Sequence, residues 1–127
     1  MKVHNLKEIK VWEKSIKLCT DIYITLTDFP NDEKYGLSSQ IKRSVISISS
    51  NIAEGAGRNS NKEFIHFLGI ANGSCFELLT QMLIATNLQL VELEKSKELC
   101  DRIIEIQKMI FGFRKRLIED INRKKDI

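Results

Sequence analysis

Apolar residues recur every three or four positions along most of the chain, which is the spacing of one face of an α-helix. Four such runs predict helices over residues 7–28, 37–54, 61–88 and 93–123. The links between them are short, and short links make consecutive helices antiparallel neighbours. The pattern therefore predicts one all-α domain over residues 1–127, an antiparallel up-down-up-down four-helix bundle.

Each predicted helix carries one apolar stripe for the core of the bundle. The stripe of the third helix is the clearest, because its spacings alternate between four and three after a Ser60–Glu63 capping box. In chain order the predicted stripes are Trp12, Ile16, Cys19, Tyr23 and Leu26; Leu37, Ile41, Val45, Ile48 and Ile52; Phe64, Leu68, Ala71, Cys75, Leu78, Met82 and Ala85; and Leu99, Ile103, Ile106, Ile110, Phe113 and Leu117.

The helix ends are predicted from chain breakers. Pro30 ends the first helix, because proline cannot continue the hydrogen-bond ladder. Gly55 and Gly57 end the second, since glycine is the usual residue for the left-handed turn after a helix. Many small residues lie in this second helix, and they allow a neighbouring helix to approach closely.

Three of the helices carry more apolar residues than one core stripe needs. These residues either widen the face turned to the core or form a surface through which copies of the chain assemble. The pattern favours assembly, since an exposed apolar strip would otherwise promote aggregation. The additional positions are Val11, Leu18, Ile22 and Phe29; Ile65, Phe76, Leu79 and Leu83; and Ile104, Phe111 and Ile118.

The composition changes this picture little. The chain is 43% hydrophobic and 29% charged, as globular proteins are, and its net charge of +3 is mildly basic. No apolar run approaches the roughly 20 residues that span a bilayer, and the start of the chain does not resemble a signal peptide. Three cysteines without a C-x-x-C pair indicate reduced thiols. We therefore expect a cytoplasmic protein that does not bind membranes.

Candidate chemistry is sparse. Glu63 and His66 form the one Glu-x-x-His pair, whereas a di-metal bundle needs two. We therefore expect no metal, no cofactor and no catalytic residue. Asn51, Glu54 and Arg58 share one helical face, either as a ligand site or as a network that fastens the link to the next helix.

Basic residues are the remaining signal, because lysine and arginine neutralise phosphates. Residues 114–127 alone carry six basic and three acidic side chains. Cations at the end of the fourth helix are also favoured by its dipole, and a charge run is often only a solvated face. The candidate nucleic-acid-binding residues are Lys42, Arg43, Arg58, Lys62, Arg114, Lys115, Arg116, Arg123, Lys124 and Lys125.

A longer motif lies in the second helix and the links beside it. It reads Tyr35-Gly36-Leu37-x-x-Gln40-Ile41-Lys42-Arg43-Ser44 and then Ser47-Ile48-x-Ser50-Asn51-Ile52-Ala53-Glu54-Gly55-x-Gly57-Arg58. It resembles the bacterial four-helix-bundle family whose members include proteins encoded by intervening sequences in large-subunit ribosomal RNA genes. The resemblance covers roughly residues 6–90, and it departs from the family at Ser49, where proline is usual, and at Gln89-Leu90, where Gly-Tyr is common.

The resemblance implies a ring-shaped homopentamer. A related accessory protein of diversity-generating retroelements works with a reverse transcriptase and its RNA, so the resemblance also implies association with RNA or DNA, or with a ribonucleoprotein. The motif residues it marks are Asn51, Glu54, Gly55, Gly57 and Arg58. A structural module that binds only protein partners is the alternative, and an enzyme ranks third.

Overall fold

The computed structural model describes residues 4–33 and 36–125, and every regular element in them is helical. Four long helices are joined by short links, as predicted. Their bounds are α1 Lys10–Leu26, α2 Leu37–Ala56, α3 Asn61–Asn87 and α4 Leu93–Lys125, with single 3-10 turns at Leu6–Glu8 and Asn31–Glu33. Tyr35, which begins the family motif, lies outside the described residues.

The four helices surround one core. Each packs against the next along the chain, and α1 also packs against α4. Leu18, Ile41, Leu68 and Ile103, one from each helix, are completely buried. Burial of a side chain of this size stabilises the fold by about 1.5–3 kcal/mol.

The predicted core stripe was correct for α3 and largely wrong for α1, where Leu26 is the one buried residue of the five predicted. Ile16, assigned to the core, is 41% exposed, whereas Val11, Leu18 and Ile22, assigned to the additional stripe, are buried. Both rows of α1 have helical spacing, so periodicity alone does not tell which row faces the core. The neighbouring helices decide it, and Cys19 and Tyr23 remain half-buried at the edge of the core.

Gly55 has a different role from the one predicted. It lies inside α2 and is buried, and no described glycine has a positive φ. A Cβ atom on Gly55 would lie 2.8 Å from Cδ1 of Phe64 and 2.9 Å from Cβ of Phe67. The glycine therefore permits close approach of α2 to α3. Gly57 follows the helix with a φ of −83° and makes no left-handed turn.

Small polar side chains continue this close contact along α2 and α3. Ser47 and Ser74 share a hydrogen bond with 2.7 Å between their Oγ atoms. Nδ2 of Asn51 donates to the backbone oxygen of Ser47 at 2.8 Å and to its Oγ at 2.9 Å. These bonds satisfy polar groups that would otherwise weaken a tightly packed seam.

The three cysteines are free thiols. Cys75 is completely buried in α3, and burial raises the pKa of its thiol to about 12. Burial also raises the pKa of the half-buried Cys19 and Cys100. Among the described helices, α3 has the length and apolar composition that a membrane span would need, and it divides its apolar residues between the core and the exposed Phe76 and Leu83.

Candidate nucleic-acid interface

A cleft of about 1630 Å³ opens where α2 passes to α3 and α4 approaches its end. One wall is the link and first turn at residues 58–62, and the other is the second half of α4. The segment before α1 and its first turn complete the cleft. Its lining residues, which we call the basic cleft, are His4, Glu8, Ile9, Lys10, Val11, Arg58, Asn59, Ser60, Asn61, Lys62, Met109, Gly112, Phe113, Arg116, Leu117, Asp120, Ile121, Arg123 and Lys124.

Positive charge dominates the lining of the basic cleft. Six basic residues face two acidic ones, Glu8 and Asp120. A concave surface with one sign of charge concentrates its field and attracts the opposite charge. The six basic residues are Lys10, Arg58, Lys62, Arg116, Arg123 and Lys124.

The start of α3 adds to this field. Ser60 caps the helix by accepting a hydrogen bond from the backbone N–H of Glu63 at 3.2 Å, and its hydroxyl donates to Oε2 of Glu63 at 3.2 Å. Asn61 and Lys62 of the first turn line the basic cleft. A helix N-terminus carries a partial positive charge, so this wall favours an anion even apart from its side chains.

Arg58 is held between two partners. Its Nη2 donates to Oε1 of Glu54 at 2.7 Å, and its guanidinium lies 4.8 Å from the centroid of the Phe67 ring. This confirms the predicted network that fastens the link to the next helix, for Glu54 and Arg58. Asn51 bonds to Ser47 instead. The Arg58 side chain is still 42% exposed, so phosphate oxygens can reach it.

The α4 wall combines charge with an aromatic ring. The guanidinium of Arg116 lies 5.5 Å from the centroid of the Phe113 ring. That ring packs in turn on Phe64 with 5.0 Å between centroids. Further along the helix, Arg123 forms an exposed ion pair with Asp120.

The structure brings five of the ten predicted basic residues together, namely Arg58, Lys62, Arg116, Arg123 and Lys124. Lys42 and Arg43 lie in the first half of α2, about 20 Å along the helix axis from its end. The Lys42 ammonium lies over the Tyr23 ring, 5.2 Å from its centroid.

The other predicted basic residues of α4 do not line the cleft. A Cβ atom on Gly69 of α3 would lie 3.6 Å from Nη2 of Arg114, so this arginine lies along the contact between the two helices. Lys115 is exposed on another side of α4. The Lys125 side chain lies outside the described residues.

Sequence reasoning missed two parts of the basic cleft. Lys10 of α1 was not among the basic residues predicted to bind nucleic acid. Phe113 was assigned to the core stripe, although it is only half-buried and contributes to the floor of the cleft. No signal in the local sequence marks either residue, since each gains its place from segments distant in the chain.

A second surface feature borders the contact between α3 and α4. Phe76 and Leu83 are 60% and 61% exposed, and Phe111 is 70% exposed. Gln107 of α4 donates a hydrogen bond to Asn72 of α3 across this contact. Phe111 and Phe76 lie one helical turn from Gln107 and Asn72, so both rows flank the same seam. We call this surface the outer strip, and it comprises Phe76, Leu83, Ile104, Phe111 and Ile118.

The described part of the chain, residues 4–33 and 36–125, contains no group of three or more His, Cys, Asp or Glu residues that could hold a metal ion.

Residues 7–112 match the family model described as 23S rRNA-intervening sequence protein. The chain is also similar to a solved structure of a protein with unknown function from the S23 ribosomal protein family of Bacteroides thetaiotaomicron VPI-5482. The TM-score is 0.77 at 26% sequence identity, and the alignment covers 83% of this chain and 95% of that chain. No curated protein matches significantly. Arg116, Arg123 and Lys124 of the basic cleft lie beyond the matched residues.

Proposed function

Because the chain belongs to the 23S rRNA-intervening sequence protein family, we propose that it is a non-enzymatic, oligomeric protein that associates with RNA or a ribonucleoprotein in the cytoplasm. The basic cleft is the surface that holds the nucleic acid. The observation that carries this proposal is the convergence of basic residues from α1, the α2–α3 link and α4 on one concave surface.

The chemistry of the cleft supports binding of a phosphate backbone. Arg58 and Arg116 present planar guanidinium groups, which pair well with phosphate oxygens, and Lys62 and Lys124 add mobile ammonium groups. Binding of this kind releases counterions from the nucleic acid and therefore weakens steeply as salt rises. The arginines stay protonated and act only as hydrogen-bond donors, which favours binding over catalysis.

The proposal includes an up-down-up-down bundle that assembles into a ring-shaped homopentamer. What supports assembly is the outer strip, whose large apolar side chains lie on the surface of the single chain. Two ion pairs support the arrangement of the helices. Lys14 of α1 pairs with Glu105 of α4, whereas Asp21, later in α1, pairs with Arg102, earlier in α4, as expected for antiparallel helices. A ring repeats the basic cleft, so that several modest sites act on one nucleic acid.

The second candidate function is a protein-interaction module without nucleic-acid binding. The exposure of Phe76 and Phe111 favours it, because an amphipathic helix of a partner can bury such residues. In that case the outer strip serves a different protein, and the basic cleft is a solvated surface.

The test is a binding titration of the protein with RNA at increasing salt. We expect micromolar or tighter binding at about 50 mM salt, with the affinity falling steeply as salt rises. The double variant Lys62→Glu, Lys124→Glu should bind at least about tenfold more weakly. The double variant Arg43→Glu, Lys115→Glu makes the same change of net charge away from the basic cleft, and it should retain most of the affinity.

Equal loss in both double variants would show that the cleft is not the binding surface. Absence of binding at low salt would refute nucleic-acid association and leave the protein-interaction module. Light scattering on the protein without RNA gives the mass of the assembly, which should be five times that of one chain.

A further inference from the structure

The floor of the basic cleft is apolar, which phosphate binding alone does not require. Met109, Phe113 and Ile121 are half-buried there, above the buried Ile9 and Leu117. An exclusively electrostatic site has no use for such a floor, because phosphates contact cations and water. The floor therefore indicates a ligand with apolar faces between its charges.

The Phe113 ring is held in place for stacking. Phe64 packs against it at 5.0 Å between centroids with 57° between the ring planes, and Arg116 lies beside it at 5.5 Å. Aromatic rings and guanidinium planes are the surfaces on which unpaired bases stack in proteins that bind single strands. Asn59 and Asn61 on the opposite wall offer amide groups that can bond to base edges.

The size and shape of the cleft favour a segment of a polymer. Its volume of about 1630 Å³ exceeds the roughly 300–1,000 Å³ of ordinary small-molecule sites. A double helix presents phosphates on its outside and hides the faces of its bases. A duplex would therefore contact the rim of the cleft and leave the floor unused, whereas a single strand can place bases on the floor and phosphates at the rim.

We propose that the basic cleft binds single-stranded nucleic acid in preference to duplex, with unpaired bases stacked at Phe113 and Arg116 and phosphates held by the surrounding lysines and arginines. This inference rests on the proposed function, since it specifies which form of nucleic acid the same cleft takes. It assigns Phe113 a role in recognition in addition to its role in packing.

The test compares three fluorescein-labelled probes by fluorescence anisotropy at about 50 mM salt. They are a mixed-sequence RNA strand of about twelve nucleotides, a length within the usual range of single-strand sites, the same strand annealed to its complement, and an abasic strand with the same number of phosphates. The single strand should bind at least about tenfold tighter than the duplex and about fivefold tighter than the abasic strand.

A matched pair of variants isolates the stacking contact. Phe113→Leu removes a ring from the cleft, and Phe111→Leu removes one from the outer strip two residues away. Phe113→Leu should weaken binding of the base-containing strand by about fivefold and leave the abasic strand unchanged. Because leucine keeps an apolar side chain in the outer strip, Phe111→Leu should preserve the mass of the assembly by light scattering and change neither affinity. Circular dichroism establishes that both variants are folded.

A second matched pair keeps the test decisive if Phe113→Leu fails to fold. Arg116→Gln and Lys115→Gln each remove one charge from adjacent positions, and Arg116→Gln should weaken single-strand binding more. Equal binding of single strand and duplex, equal binding of the abasic strand, or equal effects of the members of a pair would overturn the inference and leave the proposed function standing. Absence of binding to all three probes would overturn both.

Discussion

The α2–α3 contact and the α1–α4 contact join helices of the same bundle in different ways. Between α2 and α3, Gly55 has no side chain at the place where Phe64 and Phe67 pack, and the hydroxyls of Ser47 and Ser74 share a hydrogen bond. Between α1 and α4 the polar contacts are ion pairs, in which Asp21 meets Arg102 at 2.7 Å and Lys14 meets Glu105. One contact is close and built from small residues, and the other is bridged by long side chains that solvent reaches.

This difference bears on the basic cleft. The α2–α3 contact fixes the link that carries Arg58 and the cap at Ser60, so one wall of the cleft stands on closely packed backbone. The α1–α4 contact holds the start of α1, which carries Lys10 and completes the cleft, through partly exposed ion pairs that solvent weakens. We therefore expect the wall at Arg58 and Ser60 to be more rigid than the start of α1.

The largest expected effect tests the core that both contacts share. Leu68→Ala in α3 should lower the free energy of unfolding by about 2–5 kcal/mol, because it leaves a cavity at a completely buried site. Leu93→Ala, at a position that is 74% exposed, is the control and should change it by less than about 0.5 kcal/mol. The measurement is urea unfolding at constant protein concentration. Equal midpoints for the two variants would contradict the core assignment.

The next effect separates close approach from helix propensity. Gly55→Ala should destabilise by about 1–3 kcal/mol, because the new methyl group overlaps Phe64 and Phe67. Gly73→Ala in α3 is the matched control, since nothing lies within 4 Å of its added Cβ. It should stabilise by about 0.5–1 kcal/mol through helix propensity. Thermal unfolding of the two variants should therefore move in opposite directions, and a shift in the same direction would show that α2 and α3 do not approach closely at Gly55.

A smaller effect tests the hydrogen bond in the same seam. Ser74→Ala removes the partner of the Ser47 hydroxyl and should cost about 1 kcal/mol. Ser50→Ala on the exposed side of α2 makes the same chemical change without a buried partner, and it should be neutral or slightly stabilising. If urea midpoints rank the two variants in the reverse order, the bond does not contribute to the seam.

The smallest effect belongs to the α1–α4 ion pair. The hydrogen bond and the charge of Lys14 lower the pKa of Glu105 below its ordinary value. A carboxylate with a lowered pKa in the folded state stabilises the fold above the pKa of the unfolded chain, and this contribution is lost as the pH falls through the folded pKa. Glu105→Gln should therefore be less stable than the parent chain at pH 7 and equal to it in strong acid.

High salt should shrink this difference at pH 7, because both side chains are about half exposed and are screened. Urea midpoints measured across pH for the variant and the parent chain provide the check. A difference that persists unchanged in strong acid would show that Glu105 acts through packing and not through its charge.

The sequence predicted the α2–α3 contact better than the α1–α4 contact. The small residues of α2 indicated close approach, and the stripe from Ile41 to Ile52 was correct, because a single apolar row leaves one choice of face. In α1 two apolar rows compete, so the wrong row was assigned to the core. The partnership of Lys14 with Glu105 joins residues far apart in the chain and leaves no periodic signal.

The same limit applies to the basic cleft. Sequence identified Arg116 and Lys115 as equivalent members of a charged run, yet adjacent helical residues point about 100° apart. Only the positions of α3 and of the segment before α1 decide that Arg116 lines the cleft and Lys115 does not. The number of basic residues was therefore readable from the sequence, and their grouping was not.

The buried thiol of Cys75 makes the opening of this bundle measurable without an engineered cysteine. Its sulfur is protonated and shielded in the folded chain, so an alkylating reagent can modify it only in molecules that have opened. Cys19 and Cys100, which are half-buried, should react sooner. Mass spectrometry of the three cysteines over time would therefore show how much later α3 separates from its neighbours than the edges of α1 and α4 become exposed.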